Sequence, residues 1–229
     1  MQLVVFNGSP RRKASNSRIL LDAFFEGFTS VSKDPWEVHY LMDTKRNPAH
    51  LEAINRTDHI LVIFPLYTDA MPGIVHSFFE SLVRSSAASG KTLGFIVQSG
   101  FPESKHSIFV ARYLEKLAKR LDARYLGTVI RGGVEGIQIQ PPAMTRPLLG
   151  RFRKLGAYFA QNSEWDPQIV RKLARPDRFN RYRRAMFHFF NCIGLINFYW
   201  NKKLREHQAY DRRFDRPYEP AQEKIAKTL

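Results

Sequence analysis

Between Gly8 and Ser17 the chain reads GSPRRKASNS: Ser9, Ser15, Asn16 and Ser17 supply short polar side chains, and Arg11, Arg12 and Lys13 supply positive charge. An apolar run ends just before this stretch and a helix-periodic pattern begins just after it. At such a junction the first N–H groups of the helix lack intrahelical acceptors, and the helix dipole adds partial positive charge. The combination is an anion site, read here as one for a terminal monophosphate. A plainer reading competes, because Ser and Asn are also ordinary N-caps and a glycine turn before a capped helix needs no ligand. The stretch is not GxxxxGK[ST], so no Lys–Ser pair awaits Mg²⁺, and it is not GxGxxG, which disfavours a dinucleotide held in the Rossmann manner.

Two further segments carry chemistry of a different kind. In FPLYTDAMPG, Pro65, Leu66 and Tyr67 offer apolar and aromatic contact to a flat ligand, while the amides from Leu66 to Asp69 offer polar contact at its edge. In QSGFPES the amides from Ser99 to Phe101 do the same. Each segment alone has a bland alternative: Tyr67 as a surface aromatic closing a loop, Pro72 as the first residue of a helix.

The elements that must position these segments follow from the apolar pattern. Residues 2–7, 36–42, 59–65, 92–98 and 124–131 are rich in Val, Ile, Leu and Phe and predict five strands. LVVF, ILVIF and LGFIV are unbroken apolar runs rather than alternating ones, as expected of strands covered on both faces. Helix patterns fall between them, at about 16–28, 48–57, 72–84 and 105–121. In the last, Ile108, Tyr113, Leu114, Leu117 and Leu121 are expected to share one face. Strict alternation of strand and helix predicts an α/β, doubly wound, five-stranded parallel sheet in the flavodoxin-like order 2-1-3-4-5. Its ligand crevice opens at the carboxyl ends of the strands, where all three segments lie. A first domain is expected over residues 1–145, followed by a basic, aromatic-rich helical extension and tail over 146–229.

Composition narrows the rest. A chain of 229 residues that is 44% hydrophobic can bury a sizeable core, so wholesale disorder is not expected. Its one cysteine, Cys192, excludes an internal disulfide framework and any ordinary iron–sulfur ligation. The seven histidines show no metal-binding spacing, so no metal site is expected. The opening residues lack a basic region followed by a long apolar one, and no run reaches roughly 18 uninterrupted apolar residues. The expectation is a soluble cytoplasmic protein.

The three segments NGSPRRKASNSRILLDAF, FPLYTDAMPGIVHSFFE and SGFPES together resemble the NAD(P)H-dependent FMN reductase and flavodoxin-like oxidoreductase family, over about residues 1–135. The resemblance implies FMN as cofactor and NAD(P)H as co-substrate. It puts the FMN phosphate on Ser9, Arg11, Ser15, Asn16 and Ser17. It puts the ribityl chain and ring along Pro65, Leu66, Tyr67 and Thr68, with Ser99, Gly100 and Phe101 flanking the ring. Hydride would pass from NAD(P)H through the flavin to a small acceptor such as a quinone, a free flavin or a nitro compound. That chemistry requires no protein acid or base, so no catalytic residue is assigned; Asp69 and Glu103 are noted as carboxylates near the expected ring edge, each equally readable as an exposed loop residue. Gly132 and Gly133 could admit a ligand closely or form a plain turn. Iron–sulfur members of the family carry a cysteine cluster after the second strand, which this chain lacks. Two other functions stay open: an FMN electron carrier without NAD(P)H activity, against which the basic charge counts, and a basic protein that binds membrane or nucleic acid and leaves its crevice unused.

The net charge of +15 is uneven. Residues 1–150 carry 18 Lys and Arg against 13 Asp and Glu, whereas residues 151–229 carry 18 against 8. Within the second part, residues 178–205 set a mostly apolar, aromatic-rich run between two basic clusters. Three readings stand: packing on the core or on a second subunit, which would make the protein a homodimer or higher oligomer; peripheral contact with a membrane interface; and nucleic-acid binding, the least favoured.

Overall fold

The computed structural model describes residues 2–43, 47–194 and 197–217. Five parallel strands, β1 (Leu3–Asn7), β2 (Trp36–Tyr40), β3 (His59–Pro65), β4 (Thr92–Gln98) and β5 (Arg124–Arg131), form one sheet in the order β2-β1-β3-β4-β5. Register aligns the carboxyl ends: Asn7 pairs with Tyr40 and Ile63, Pro65 with Gln98, and Gln98 with Arg131. The inner strands β1, β3 and β4 are buried almost throughout, while the edge strands β2 and β5 are largely half-exposed. The unbroken apolar runs therefore mark the strands that receive helices on both faces.

Because strand side chains alternate, each inner strand feeds two cores. Val4, Phe6, Val62, Phe64, Phe95 and Val97 meet the helices α2 (Asn47–Asn55), α3 (Gly73–Ser85) and α4 (Ile108–Arg120). Leu3, Val5, Leu61, Ile63 and Ile96 meet α1 (Asn16–Val31) and α5 (Pro142–Asn162), with Phe24, Phe28, Phe152 and Phe159 filling that side. Full burial of each such phenylalanine is worth about 1.5–3 kcal/mol.

Several expectations shift by a few residues. The strand expected over 36–42 ends at Tyr40, and the helix expected from Lys105 opens as a 3₁₀ turn over Ser104–Ser107 before α4 begins. The buried stripe of α4 runs through Val110, Leu114, Leu117 and Ala118, which rotates Tyr113 out to the surface and leaves Ile108 half-buried.

The chain divides into two compact units, one ending at Arg178 and one starting at Phe179. The first runs well past residue 145 because α5 belongs to it. At the α1–α5 crossing, a Cβ on Gly27 would sit 1.8 Å from the Arg153 carbonyl oxygen, and one on Gly156 would sit 1.9 Å from that of Phe24. Two glycines, one per helix, let the backbones touch. The short helix α6 (Pro167–Leu173) follows, its start capped by the Asp166 carboxylate, which accepts from the amides of Gln168 and Ile169. Between α5 and α6, Trp165 lies over Gly94 and Gly127, with Gly127 at φ +119° and the β4–β5 register shifted between Leu93 and Gly94. The flat indole covers Gly127, while at Gly94 the side chains of Leu61 and Leu126 come closer still.

The second unit contains α7 (Arg181–Cys192) and α8 (Phe198–Glu206). Asn180 caps α7 by accepting from the Arg183 amide, and the guanidinium of Arg213 sits 3.9 Å over the ring of Tyr210. Of the tail, residues 218–229 lie outside the described residues, as do 195–196 within the aromatic run.

Candidate functional site

β1 ends at Asn7, and the carboxamide there organises the loop that follows. Its oxygen accepts from the Ser9 amide at 2.9 Å, and its nitrogen donates to the Ser15 hydroxyl at 3.3 Å. Gly8 is required between them: its amide donates to the Ile63 carbonyl, and a Cβ there would lie 2.2 Å from a methyl of Val75. The loop turns through Arg12–Ala14 and enters α1 at Ser15.

The expected phosphate-loop residues then part company. Ser15 is the N-cap of α1; its hydroxyl accepts from the Arg18 amide and donates to the Arg12 carbonyl at 2.6 Å. Asn16 spans to the loop after β5, donating to the Val134 carbonyl and accepting from the Gln138 amide group, each at 2.9 Å. Ser17 is fully buried and accepts from Gln98 at 3.4 Å. Ser9 and Arg11, with Asn16, face a small cleft of about 110 Å³ that the other two segments complete. Pro65, Leu66, Tyr67, Gln98, Ser99 and Gly100 form its remaining wall, together with Glu135.

Ser15, Ser17, Thr68 and Phe101 do not line this cleft. Thr68 and Asp69 occupy the two central positions of a tight turn, both with positive φ (48° and 60°), closed by reciprocal hydrogen bonds between Tyr67 and Ala70. Both φ values positive is the signature of a type I′ turn, which favours Asn and Gly, so a β-branched Thr there is strained. The turn presents Tyr67 to the cleft and contributes Asp69 and Ala70 to a second, mainly apolar one of about 300 Å³, shared with Met71, His76, Phe109, Val110 and Tyr113. Phe101 is exposed and stacks on His106 at 4.8 Å.

Of the backbone donors expected at the cleft, three are already used. Leu66 donates to Gln98, Tyr67 to Ala70 and Ser99 to Arg131, because the sheet hydrogen-bond ladder and the tight turn run straight into these loops. The amides of Thr68, Asp69, Gly100 and Phe101 have no backbone acceptor among the described residues. Gly132 is explained by the backbone alone, since a Cβ would lie 2.4 Å from the Phe101 carbonyl. Glu103 is placed near His106 at 3.9 Å, away from the cleft wall.

Two cleft residues were not singled out from the sequence. Gln98 follows from strand register, because it ends β4 beside Pro65. Glu135 had no local signal; it reaches the cleft only because the loop after β5 folds back under Asn16, and it pairs with Arg11 at 3.6 Å. Arg12 is drawn to Asp43 at 3.0 Å. The cleft thus mixes one guanidinium, one carboxylate, two serines and an aromatic wall at the switch point between β1 and β3, where open α/β sheets hold ligands.

A family model described as the flavodoxin-like fold matches residues 1–148. The chain belongs to that family. This flavodoxin-like chain is also similar in fold to solved structures of low sequence identity. A protein described as an NADPH-quinone reductase from P. pentosaceus is 20% identical, with a TM-score of 0.52 over 67% of this chain and 96% of that one. The NAD(P)H:quinone oxidoreductase from Methanothermobacter marburgensis is 16% identical, with a TM-score of 0.57 over 69% and 96%. An FMN-dependent NADH-azoreductase from Bacillus anthracis, solved in complex with FMN, is 14% identical, with a TM-score of 0.54 over 70% and 100%. No protein with a curated description matches the chain.

Proposed function

We propose that this flavodoxin-like protein is an FMN-dependent oxidoreductase that takes hydride from NAD(P)H and reduces a small acceptor, a quinone, a flavin or a nitro compound. The observation that carries the reading is the convergence of three loops on one cleft: Ser9, Arg11 and Asn16 from the polar loop, Pro65–Tyr67 from the second and Ser99–Gly100 from the third. The reductase descriptions of the similar structures support the same kind of reaction.

The residues present fit the cofactor. Ser9 and Arg11 stand at the mouth of α1, where the helix start favours a phosphate. Pro65 and Leu66 supply an apolar wall that keeps water from one side, and Tyr67 supplies an aromatic face. The Gly100 amide is available to a polar ring edge. When bound, FMN supplies the ring that accepts two electrons from the nicotinamide and returns them to the acceptor. The protein holds and orients it. The Arg11–Glu135 pair is a competitor: a phosphate must share the guanidinium with that carboxylate, so removing the charge of Glu135 should tighten binding.

The test is an absorbance spectrum of the protein as purified and again after FMN titration and dialysis. Flavin bands near roughly 375 and 450 nm that survive dialysis, followed by NAD(P)H oxidation with a soluble quinone, are the expected result. A colourless protein that takes up no FMN would sink the reading.

A further inference from the structure

We propose that α7 docks on an anionic lipid bilayer, lying in the interface with its aromatic face inward. At 100° per residue, Tyr182, Met186, Phe189, Phe190 and Ile193 fall on one side of the helix, and Arg181, Arg184, His188 and Asn191 on the other. No residue of α7 is buried; Tyr182 is 76% exposed, Phe189 62% and Ile193 53%. An apolar stripe of this size left in water marks an interaction surface.

Charge decides the partner. From Phe179 to Arg205 the chain carries six Lys or Arg and not one Asp or Glu. In a symmetric pair of this chain the same patch meets itself, so Arg181, Arg183 and Arg184 of α7, a helix with no acidic residue, would oppose their own copies. A sheet of lipid phosphates answers these three guanidinium groups, whereas Lys203 of α8 already pairs with Glu206 at 2.7 Å. The first turn of α7 points the same way: Arg181, Arg183 and Arg184 crowd the positive end of the helix dipole with no acidic residue nearby in the turn, an arrangement that an external anion relieves. α8 adds Trp200, 58% exposed, beside Lys202 and Lys203, the amphipathic ring and basic stems suited to headgroup depth. No helix among the described residues is long and apolar enough to cross a membrane, so the contact is interfacial. Docking would bring the protein to lipid-dissolved quinones; that consequence alone rests on the proposed oxidoreductase reading.

Vesicle flotation of the full-length protein tests the docking without turnover, so its failure is distinct from a failure to bind FMN. Vesicles of phosphatidylcholine are compared with vesicles containing about one-third phosphatidylglycerol, at about 0.1 and 0.5 M salt. The expected result is at least about tenfold greater partitioning to the anionic vesicles at low salt, most of it lost at high salt. Arg181→Glu with Arg184→Glu should lose it about tenfold, whereas Arg181→Lys with Arg184→Lys should retain it. Met186→Ser with Phe189→Ser should also lose it, at unchanged circular dichroism and unchanged mass by light scattering. Equal or absent binding to both vesicle types overturns the proposal. So does a dimer that the serine variant converts to monomer, which would make the stripe a contact between copies. Tight, salt-sensitive binding of a single-stranded oligonucleotide without vesicle binding would assign the surface to nucleic acid instead.

Discussion

Ser9 and Ser15 stand in one loop, look alike in sequence and have different tasks. Ser15 spends its hydroxyl on the Arg18 amide and the Arg12 carbonyl, so it is a cap; Ser9 faces the cleft. Ser15→Ala should therefore cost about 1 kcal/mol of stability, seen as a lower midpoint in urea. Ser9→Ala should leave that midpoint within about 0.5 kcal/mol and weaken FMN binding about tenfold in a fluorescence titration. Reversed outcomes would exchange the two assignments. The strained turn gives a second contrast. Asp69 sits at φ +60° without needing a side chain for the closing hydrogen bonds, so Asp69→Gly should raise stability by about 0.5–1 kcal/mol in the same denaturation assay. A destabilised variant would mean that the carboxylate holds something the turn geometry does not reveal.

At the scale of elements, the α1–α5 crossing is the joint that makes the unit larger than the alternating pattern suggests. Neither Gly27 nor Gly156 has a left-handed backbone; each is required by the close approach of another main chain. Gly156→Ala would add a methyl against the backbone of α1, which cannot yield as a side-chain tip would. A loss of about 1–3 kcal/mol is expected, with a thermal midpoint several degrees lower. Gly150→Ala on the same helix, where a Cβ meets nothing within 4 Å, is the control and should be neutral or slightly stabilising. The joint also shields the Phe24–Phe159–Trp165 cluster, so loosening it should expose Trp165 to quenchers of indole fluorescence.

At the scale of the whole molecule, the basic charge meets the pH response at His59. Burial at the start of β3 lowers the pKa of this imidazole, the Arg124 guanidinium lowers it further, and Asp58 and Glu164 oppose the shift. Its ring packs edge-on against Phe159. With the folded pKa below the unfolded value of about 6.5, both states are neutral above that pH and His59 contributes no pH dependence there. As pH falls through about 6.5, the unfolded chain takes up the proton first, and stability declines until the lower folded pKa is reached. Denaturation midpoints between pH 8 and 5 should fall on the acid side, and His59→Gln should flatten that fall. An unchanged slope in the variant would place the response elsewhere.

The unbroken runs LVVF, ILVIF and LGFIV were enough for parallel inner strands, and alternation with helices was enough for the order 2-1-3-4-5, because burial on both faces is a property of each strand's own composition. The convergence of three loops was legible for the same reason: each follows a strand carboxyl end, and topology alone brings those ends together. Which serine caps and which faces the cleft depended on the direction of single hydroxyls, set by Asn7 and Gln98 across the sheet. Glu135 entered the site through a contact between Asn16 and Val134, 118 residues apart, and Gly27 found its meaning only against Arg153. Sequence by itself determined the periodic elements and the ends where a ligand would sit. Tertiary structure decided which donors remain available there and where the first unit stops, because long-range backbone contacts leave no local periodicity to read.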